Sequence, residues 1–561
     1  MENPRRHFER RLNALKSERD GGGWLSHWRE LSDYVLPRRG QFLVTDRNKG
    51  DKRNGKIIDN TATLAARTLA SGMVAGITSP ARPWFRLSTP DPDLKEYGPV
   101  KVWLHDVEQR MREVFARSNV YNALPTLYGE LGVFGTAAIF VQEDYETIIR
   151  VHPYTVGEYF LANSARLTVD SLYREFSLSV AQAVEQFVRQ PNGAMDWSRV
   201  SNTVKSLYEK GNYDEWVEFV HAIEPNPDRI PGMEDARNMP WRSVYYQKDG
   251  DRGQLARVGG FKQFPVMAPR WDLMGQDVYG RSPGMDCLGD VKALQVMQKE
   301  KAKAVQKMVT PPMVGGAGLK NAAISALPGG VTFVDGNEPV KQLAPLYQVN
   351  PQIQHLLLDI DDHRKRIDKA FFADLFMMVS QMERAQITAY EIQVRQEEKL
   401  LMLGPVLERL HDELLDPLID RTFAIMQDKG LLPPAPEELS GSDLRIEYIS
   451  VLAQAQKAVA TSGVERFAGF VGNLAAVKPD VLDKFDTDQA VDEYADALGV
   501  SPRIVRSDDD VAKVRQARAQ QEQAAQAMQM TQMAAQGAET LSRTDMRGDN
   551  ALTRMLGMSA G

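Results

Sequence analysis

The sequence predicts an α+β chain in which long helices flank a β-rich middle. Three observations carry this reading. Apolar side chains recur at three- and four-residue intervals near both ends and again beyond residue 288, which is the repeat of a helix with one buried face. Between about residues 145 and 270 the pattern shortens and alternates, punctuated by Pro, Gly and Asn, as strands and turns require. Charged residues make up 25% and hydrophobic residues 43% of 561, the composition of a globular chain too long for one core; roughly three to five structural units are expected at this length.

Taken in order, residues 1–40 read as helical and stop at Leu36-Pro37-Arg38-Arg39-Gly40, because a residue before proline is driven out of the α region. Residues 61–78, TATLAARTLASGMVAGIT, are apolar nearly all round and predict a buried helix. Two helical runs occupy 100–140, the second passing through Gly132 and Gly135 into a strand-like TAAIFV. VEFVHAIEP and SVYYQ are strand candidates in the middle region. LGDVKALQVMQKEKAKAVQKMV (288–309) is a helix ended by Pro311-Pro312, and between Val291 and Val309 it carries five lysines against one glutamate. Residues 310–350 are a Gly/Pro-rich module with strand candidates at PPMVG and GVTFV.

A second helix, QIQHLLLDIDDHRKRIDKAFF, covers 352–372. Further on, Thr388-Ala389-Tyr390-Glu391 is a capping box in which hydroxyl and carboxylate each satisfy a backbone amide, with Ile387 and Ile392 as the staple. Such a cap contributes about 1 kcal/mol. The chain is therefore expected to break between Ala373 and Ile387, within the stretch 371–392 that opens with the largely apolar FFADLFMM. Two readings of this loop stay open: a helix end and turn packed in a core, or a segment with a task of its own. The next helix carries Leu403, Leu407, Leu410, Leu414 and Leu418 on one stripe, is interrupted at Gly404-Pro405, and should kink at Asp416-Pro417, a cap-and-proline pair. A smaller helical unit follows over 443–500. The Gln/Ala/Met-rich stretch at 511–536 reads as a helix that needs neighbours for stability.

Composition and motifs exclude several classes of function. A net charge of −7 argues against a general nucleic-acid binder, although residues 1–60 are basic and 431–500 acidic. The lone Cys287 leaves no intramolecular disulfide and no cysteine-rich zinc site. The charged N-terminus has no secretory h-region, and nowhere do 18 apolar residues run together as a membrane helix would need. Gly280-Arg281-Ser282-Pro283-Gly284 matches the nucleophile-elbow spacing of hydrolases, but Pro283 lacks the amide that must face an oxyanion. Asp359, Asp361, Asp362 and His363 could hold a metal by composition; with Arg364, Lys365 and Arg366 beside them, they read as a salt-bridged helix surface instead. GGAGLKN lacks the order of a phosphate loop. No catalytic residue, metal site or cofactor is expected, and the chain reads as structural.

WRELSDYVLPRRGQF (28–42), IIDNTATLAARTLASGMVAGITSPARPWF (57–85), DVYGRSPGMDCLGDVKAL (277–294), AFFADLF (370–376) and TAYEIQVRQEEKLLMLGPVLERLHDELLDPLIDR (388–421) occur in an order that resembles the portal, or head-to-tail connector, proteins of short-tailed bacteriophages. The resemblance covers about 24–450. It implies a portal fold assembled as a closed ring, usually of twelve copies, at one capsid vertex, passing double-stranded DNA during packaging and ejection. It places a wing at 1–285, stem helices at 286–309 and 351–372 around a clip at 310–350, a tunnel loop at 373–387, a tunnel and wing helix at 388–430 kinked at 404–405, a crown at 431–507 and a helical tail or barrel at 508–561. The tunnel-loop residues implied at the DNA are Met377, Met378, Gln381, Met382, Glu383 and Arg384. A basic stem face would comprise Lys292, Lys299, Lys303, Lys307, Arg364 and Lys365, and a docking clip Met313, Lys320, Asn321, Phe333, Asp335 and Lys341. The implied partners are the terminase large subunit, tail adaptor and tail tube proteins, and the major capsid and scaffolding proteins, with assembly in the host cytoplasm and no membrane. Two alternatives remain: another virion assembly or scaffold protein without a channel, and a serine hydrolase at Ser282.

Overall fold

The computed structural model describes residues 4–44, 53–91, 97–233, 235–250, 253–309, 353–381, 403–439, 444–448, 467–475, 478–498 and 508–543, with residues 50, 94, 313–314, 344–345 and 505–506 between them. The chain divides into two units, one of residues 1–86, 109–432 and 448–462, the other of 87–108, 433–447 and 463–561.

The first unit opens with α1 (Pro4–Gly21) and α2 (Trp24–Tyr34). The sequence reads this region as one helical run. Three consecutive glycines interrupt it, and Gly23 sits at φ +83, a left-handed conformation that a side chain would oppose. α3 (Thr61–Ile77) follows, then strand β1 (Phe85–Ser88), α4 (Gly98–Arg117) and α5 (Val120–Phe134). α5 ends at Gly135, whose φ of +80 turns the chain into β2 (Ala138–Asp144).

Antiparallel pairing then builds the β-rich middle. β2 lies between β3 (Ile148–Tyr154) and β9 (Val266–Met267) in a three-stranded sheet. A five-stranded sheet runs in the order β4 (Tyr159–Asn163), β5 (Val169–Ser179), β6 (Trp216–Pro225), β7 (Trp241–Gln247) and β8 (Arg257–Phe261). The two strand candidates read from sequence are β6 and β7. Strand alternation explains why both faces of this sheet are covered: Phe219 and Val220 are neighbours in sequence yet belong to different cores. On one face Phe8, Leu12 and Leu15 of α1 pack on Phe160, Tyr173, Val220, Val244 and Tyr246. On the other, Val180, Val184, Phe187, Val200 and Val204 from the β5–β6 connection pack on Phe176 and Phe219. Each buried Leu or Phe stabilises this arrangement by about 1.5–3 kcal/mol.

Beyond the sheets lie α6 (Leu288–Val309), α7 (Ile353–Ala370), α8 (Ala373–Gln381) and α9 (Asp416–Asp428). The kink expected at Asp416-Pro417 takes another form. Asp416 is itself the first helical residue rather than the cap, and the turn before it, His411–Leu415, widens to a π-turn. Proline brings no amide to the ladder, and the wider turn absorbs the missing bond. It also delivers Glu413 to Arg270, whose backbone N and Nε donate to that carboxylate at 2.8 and 3.1 Å. The side chain of Arg270 is 1% exposed, so this pair fixes the π-turn to the β-rich middle.

In the second unit Val100, Leu104 and Val107 of α4 are buried, and Trp103 Nε1 donates to Pro433 O at 3.1 Å. α10 (Thr487–Leu498) is joined to the 36-residue α11 (Asp508–Arg543) by Arg515, which donates to both oxygens of Asp488 at 2.6 and 2.8 Å. The helix expected over 511–536 is present, and its side chains from Ala512 to Gln536 are exposed.

Candidate functional site

The hydrolase-like spacing at 280–284 folds into a helix start. Ser282 is the N-cap of the short helix Pro283–Asp286: its hydroxyl accepts from the Met285 amide at 3.1 Å and donates to Val133 O at 2.6 Å. The side chain is buried with both bonding directions used, so it cannot attack a substrate. The glycines serve close backbone contact. A Cβ on Gly280 would lie 2.3 Å from Gly135 O, and one on Gly284 would lie 2.7 Å from Val133 O.

From this start α6 runs out and α7 returns beside it, and one carboxylate ties the pair to the body. Asp59 stands just before α3. It accepts from the Thr61 amide and hydroxyl (2.9 and 2.5 Å), from Gln298 Nε2 of α6 (2.8 Å) and from Arg364 of α7 (Nε 3.1 Å, second nitrogen 2.7 Å). Gln295 completes the joint: its Oε1 accepts the amides of Ile58 and Asp59 at 2.6 and 2.8 Å while its Nε2 donates to Asp59 O at 2.9 Å. Burial alone would raise the Asp59 pKa, but the bonds from Thr61, Arg364 and Gln298 outweigh it and hold the carboxyl below its ordinary value. Nearby, Asp290 on α6 receives His363 Nδ1 (2.8 Å) and Arg366 (3.3 Å) from α7, and Lys292 pairs with Glu30 of α2.

α7 ends in an elbow. Phe372 has φ +54, a left-handed conformation rare for a bulky residue. Its carbonyl accepts the amides of Leu375 and Phe376 at 3.1 and 3.2 Å and so starts α8. The expected loop therefore begins as a helix: residues 373–381 are α8, not an irregular connection. Tertiary packing supplies the reason. Phe371, Ala373 and Leu375 are fully buried, and Phe376 lies so close to α3 that a Cβ on Gly72 would come within 2.2 Å of its ring.

The structure brings Lys292, Lys299, Lys303, Lys307, Arg364 and Lys365 onto one hairpin, but their partners differ. Lys292 and Arg364 bond inward to Glu30 and Asp59, Lys303 pairs with Glu300 and Lys365 with Asp361 on their own helices, and Lys299 and Lys307 form no ion pair among the described residues. The Asp359–Arg366 surface is salt-bridged as expected, with Asp362 on Arg366 at 2.8 Å. Of the tunnel residues, Met377 is 45% exposed on α8, and Met378 and Gln381 belong to the same helix. Met382, Glu383, Arg384 and the Thr388 capping box lie outside the described residues. So do Lys320, Asn321, Phe333, Asp335 and Lys341, whereas Met313 lies in strand β10 (Met313–Val314), paired with β11 (Ala344–Pro345). Sequence reasoning missed Asp59, Gln295, Gln298 and Gly72. The capping rule points to Asn60, immediately before Thr61, whereas Asp59 one residue further out is the one that accepts the Thr61 amide.

Among the described residues there is no group of three or more metal-ligating side chains and no helix long and apolar enough to cross a membrane. Residues 5–505 match the family model of the bacteriophage head to tail connecting protein. The chain is 49% identical over 545 residues to the portal protein of Salmonella phage epsilon15, covering 97% of this chain and 96% of that one. It is 47% identical over 543 residues to the probable portal protein of Bordetella phage BPP-1, again covering 97% and 96%. Among solved structures, the neck of an empty GTA particle computed with C6 symmetry overlaps 77% of this chain and 92% of its own at 11% identity and a TM-score of 0.33, which carries no argument. A family match over nearly the whole length settles the relationship, and the chain belongs to the bacteriophage head-to-tail connecting protein family.

Proposed function

We propose that this chain is the subunit of a phage portal, a structural, non-enzymatic component of the virion at one capsid vertex, and that twelve copies close into a ring around a channel for double-stranded DNA. The α6–α7 hairpin forms the stem, residues 1–285 the wing, residues 310–350 the clip, residues 431–507 the crown and residues 508–561 the tail. The clip docks the terminase large subunit, whose ATP turnover drives packaging, and afterwards the tail adaptor. Capsid and scaffolding proteins meet the wing, and the ring assembles in the host cytoplasm.

One observation supports this reading most. The hairpin is anchored at its base by Asp59, yet along it Val296, Val305, Met308, Val309, Leu357 and Leu358 are all more than 40% exposed, beside Lys299 and Lys307, which form no ion pair among the described residues. A single chain leaves this apolar surface in water, and neighbouring copies around a ring would cover it. Purified protein imaged by negative stain should show closed rings with a central hole. A stable monomer at micromolar concentration would overturn the reading, and ATP turnover by the ring alone would overturn the division of labour with the motor.

A further inference from the structure

Asparagine is among the side chains that decay chemically, and it does so fastest where the next residue cannot shield its own amide nitrogen. Glycine is that residue, having no Cβ and a freely adjustable backbone. Asn54 and Asn192 are the two asparagines of the sequence that precede glycine. Both are exposed, yet the fold treats them differently.

Asn192 is held back. Its Oδ1 accepts the Ala194 amide at 3.0 Å, and the Gly193 amide, the nitrogen that would have to attack, donates to Gln190 O at 2.8 Å. The turn is pinned at its ends by the bridge between Arg189 and Met195, so freeing that nitrogen means opening the turn. Asn54 has no such restraint. Among the described residues neither its side chain nor the Gly55 amide makes a hydrogen bond, because the turn is closed from the other side, by the Ile57 amide donating to Asn54 O at 3.1 Å. Gly55 stands at the exposed corner of this turn, where an added Cβ would meet nothing within 4 Å.

We propose that Asn54 is a site of spontaneous deamidation that ages the joint between the hairpin and the body. The Gly55 nitrogen gives its proton to solvent and bonds to Asn54 Cγ; the Cγ–Nδ2 bond breaks, ammonia leaves and a cyclic imide closes. Water then opens the imide at either carbonyl, leaving aspartate or isoaspartate. Both products add a negative charge two residues before Lys56, whose ammonium Asp33 holds at 2.7 Å. Isoaspartate does more, since it routes the main chain through the former side chain and takes the carbonyl that Ile57 bonds out of the backbone. That change falls just ahead of Ile58 and Asp59, whose amides Gln295 of α6 accepts at 2.6 and 2.8 Å.

The test holds the purified full-length protein in warm, mildly alkaline buffer made with heavy-oxygen water and weighs its peptides at intervals. The Asn54 peptide should gain the mass of an amide-to-acid conversion with the solvent label, at least about tenfold faster than the Asn192 peptide. In the urea-unfolded chain the two should convert at similar rates, which assigns the difference to the fold. Gly55→Ala is accommodated, because its φ lies outside the left-handed region and its Cβ meets open space; it should slow conversion at Asn54 at least about tenfold and leave Asn192 as it was. Equal rates at the two sites in the folded protein, or an unchanged rate in Gly55→Ala, would overturn the proposal. Hydrogen exchange then reads the joint: the isoaspartate fraction, separated by ion exchange, should exchange the Ile58 and Asp59 amides faster than fresh protein does. Unchanged exchange there would overturn the link between this site and the joint.

Discussion

Asp59 and Glu130 are both carboxylates with less than a tenth of their surface exposed, and their neighbours send them in opposite directions. Asp59 faces the Arg364 guanidinium and three further donor bonds, which hold it ionised. Glu130 accepts from the Thr155 hydroxyl (2.6 Å) and the Val156 amide (3.1 Å), and although these bonds and the charge of Arg39 favour the anion, burial pushes its pKa up to about 7. The pH consequences are opposite. A depressed Asp59 contributes stability above the ordinary carboxyl value near 4 and loses it as acid protonates the group. Asp59→Asn should therefore cost about 1–3 kcal/mol at neutral pH in chemical denaturation, with the difference vanishing in acid. A raised Glu130 binds its proton in the folded state when the unfolded chain has already released it, so stability falls as pH rises from about 4.5 towards 7. Melting curves between pH 5 and 8 should show this decline, and Glu130→Gln should flatten it. An unchanged slope in that variant would mean the decline belongs to other groups.

At the scale of elements, the helix ends were legible and the bends between them were not. Periodicity located α3, α6 and α7, and Leu36-Pro37 ended α2 close to Tyr34, because these signals are local. Sequence also stopped α7 near Phe372. It did not show that α8 restarts at once, since nothing between Ile353 and Gln381 is Gly or Pro and a straight rod would be the local preference. Long-range contact makes the elbow: Gly72 of α3 admits the Phe376 ring, and Phe372 turns left-handed to allow it. The same limit hid the candidate site, because Asp59 meets Gln298 and Arg364 more than 230 residues away. Four substitutions test the elbow by denaturation. Phe371→Ala should cost about 3–5 kcal/mol through the cavity it leaves. Phe372→Gly should cost far less, because relief of the left-handed strain offsets the loss of a half-buried ring. Gly72→Ala should destabilise by about 1–3 kcal/mol, and Phe376→Leu should partly rescue it. Additivity of that last pair would place the strain elsewhere.

For the whole molecule, charge has to be reconciled with passage of a polyanion. The chain carries a net charge of −7, while the outer part of α6 presents Lys299, Lys303 and Lys307 at four-residue spacing on one helix face. On the stem assignment proposed above, a ring would repeat each of these lysines around its axis, and a few per subunit would form a belt facing a duplex with one charge per about 1.7 Å. A conduit that bound every phosphate would stall its cargo. An acidic body with sparse lysines attracts DNA only weakly, and salt should abolish that attraction quickly. Purified rings should therefore retain linear duplex DNA at low ionic strength and release it near physiological salt, where the screening length is about 8 Å. Replacing Lys299, Lys303 and Lys307 with Gln should remove most of the low-salt binding, leave the ring closed under negative stain, and lower the slope of binding against salt. Among the described residues only Lys303 of the three is paired, with Glu300 on its own helix, so the three lysines hold no partner elsewhere in the hairpin. If the triple variant binds DNA with an unchanged salt slope, the belt does not face the channel and the stem assignment of α6 must be revised.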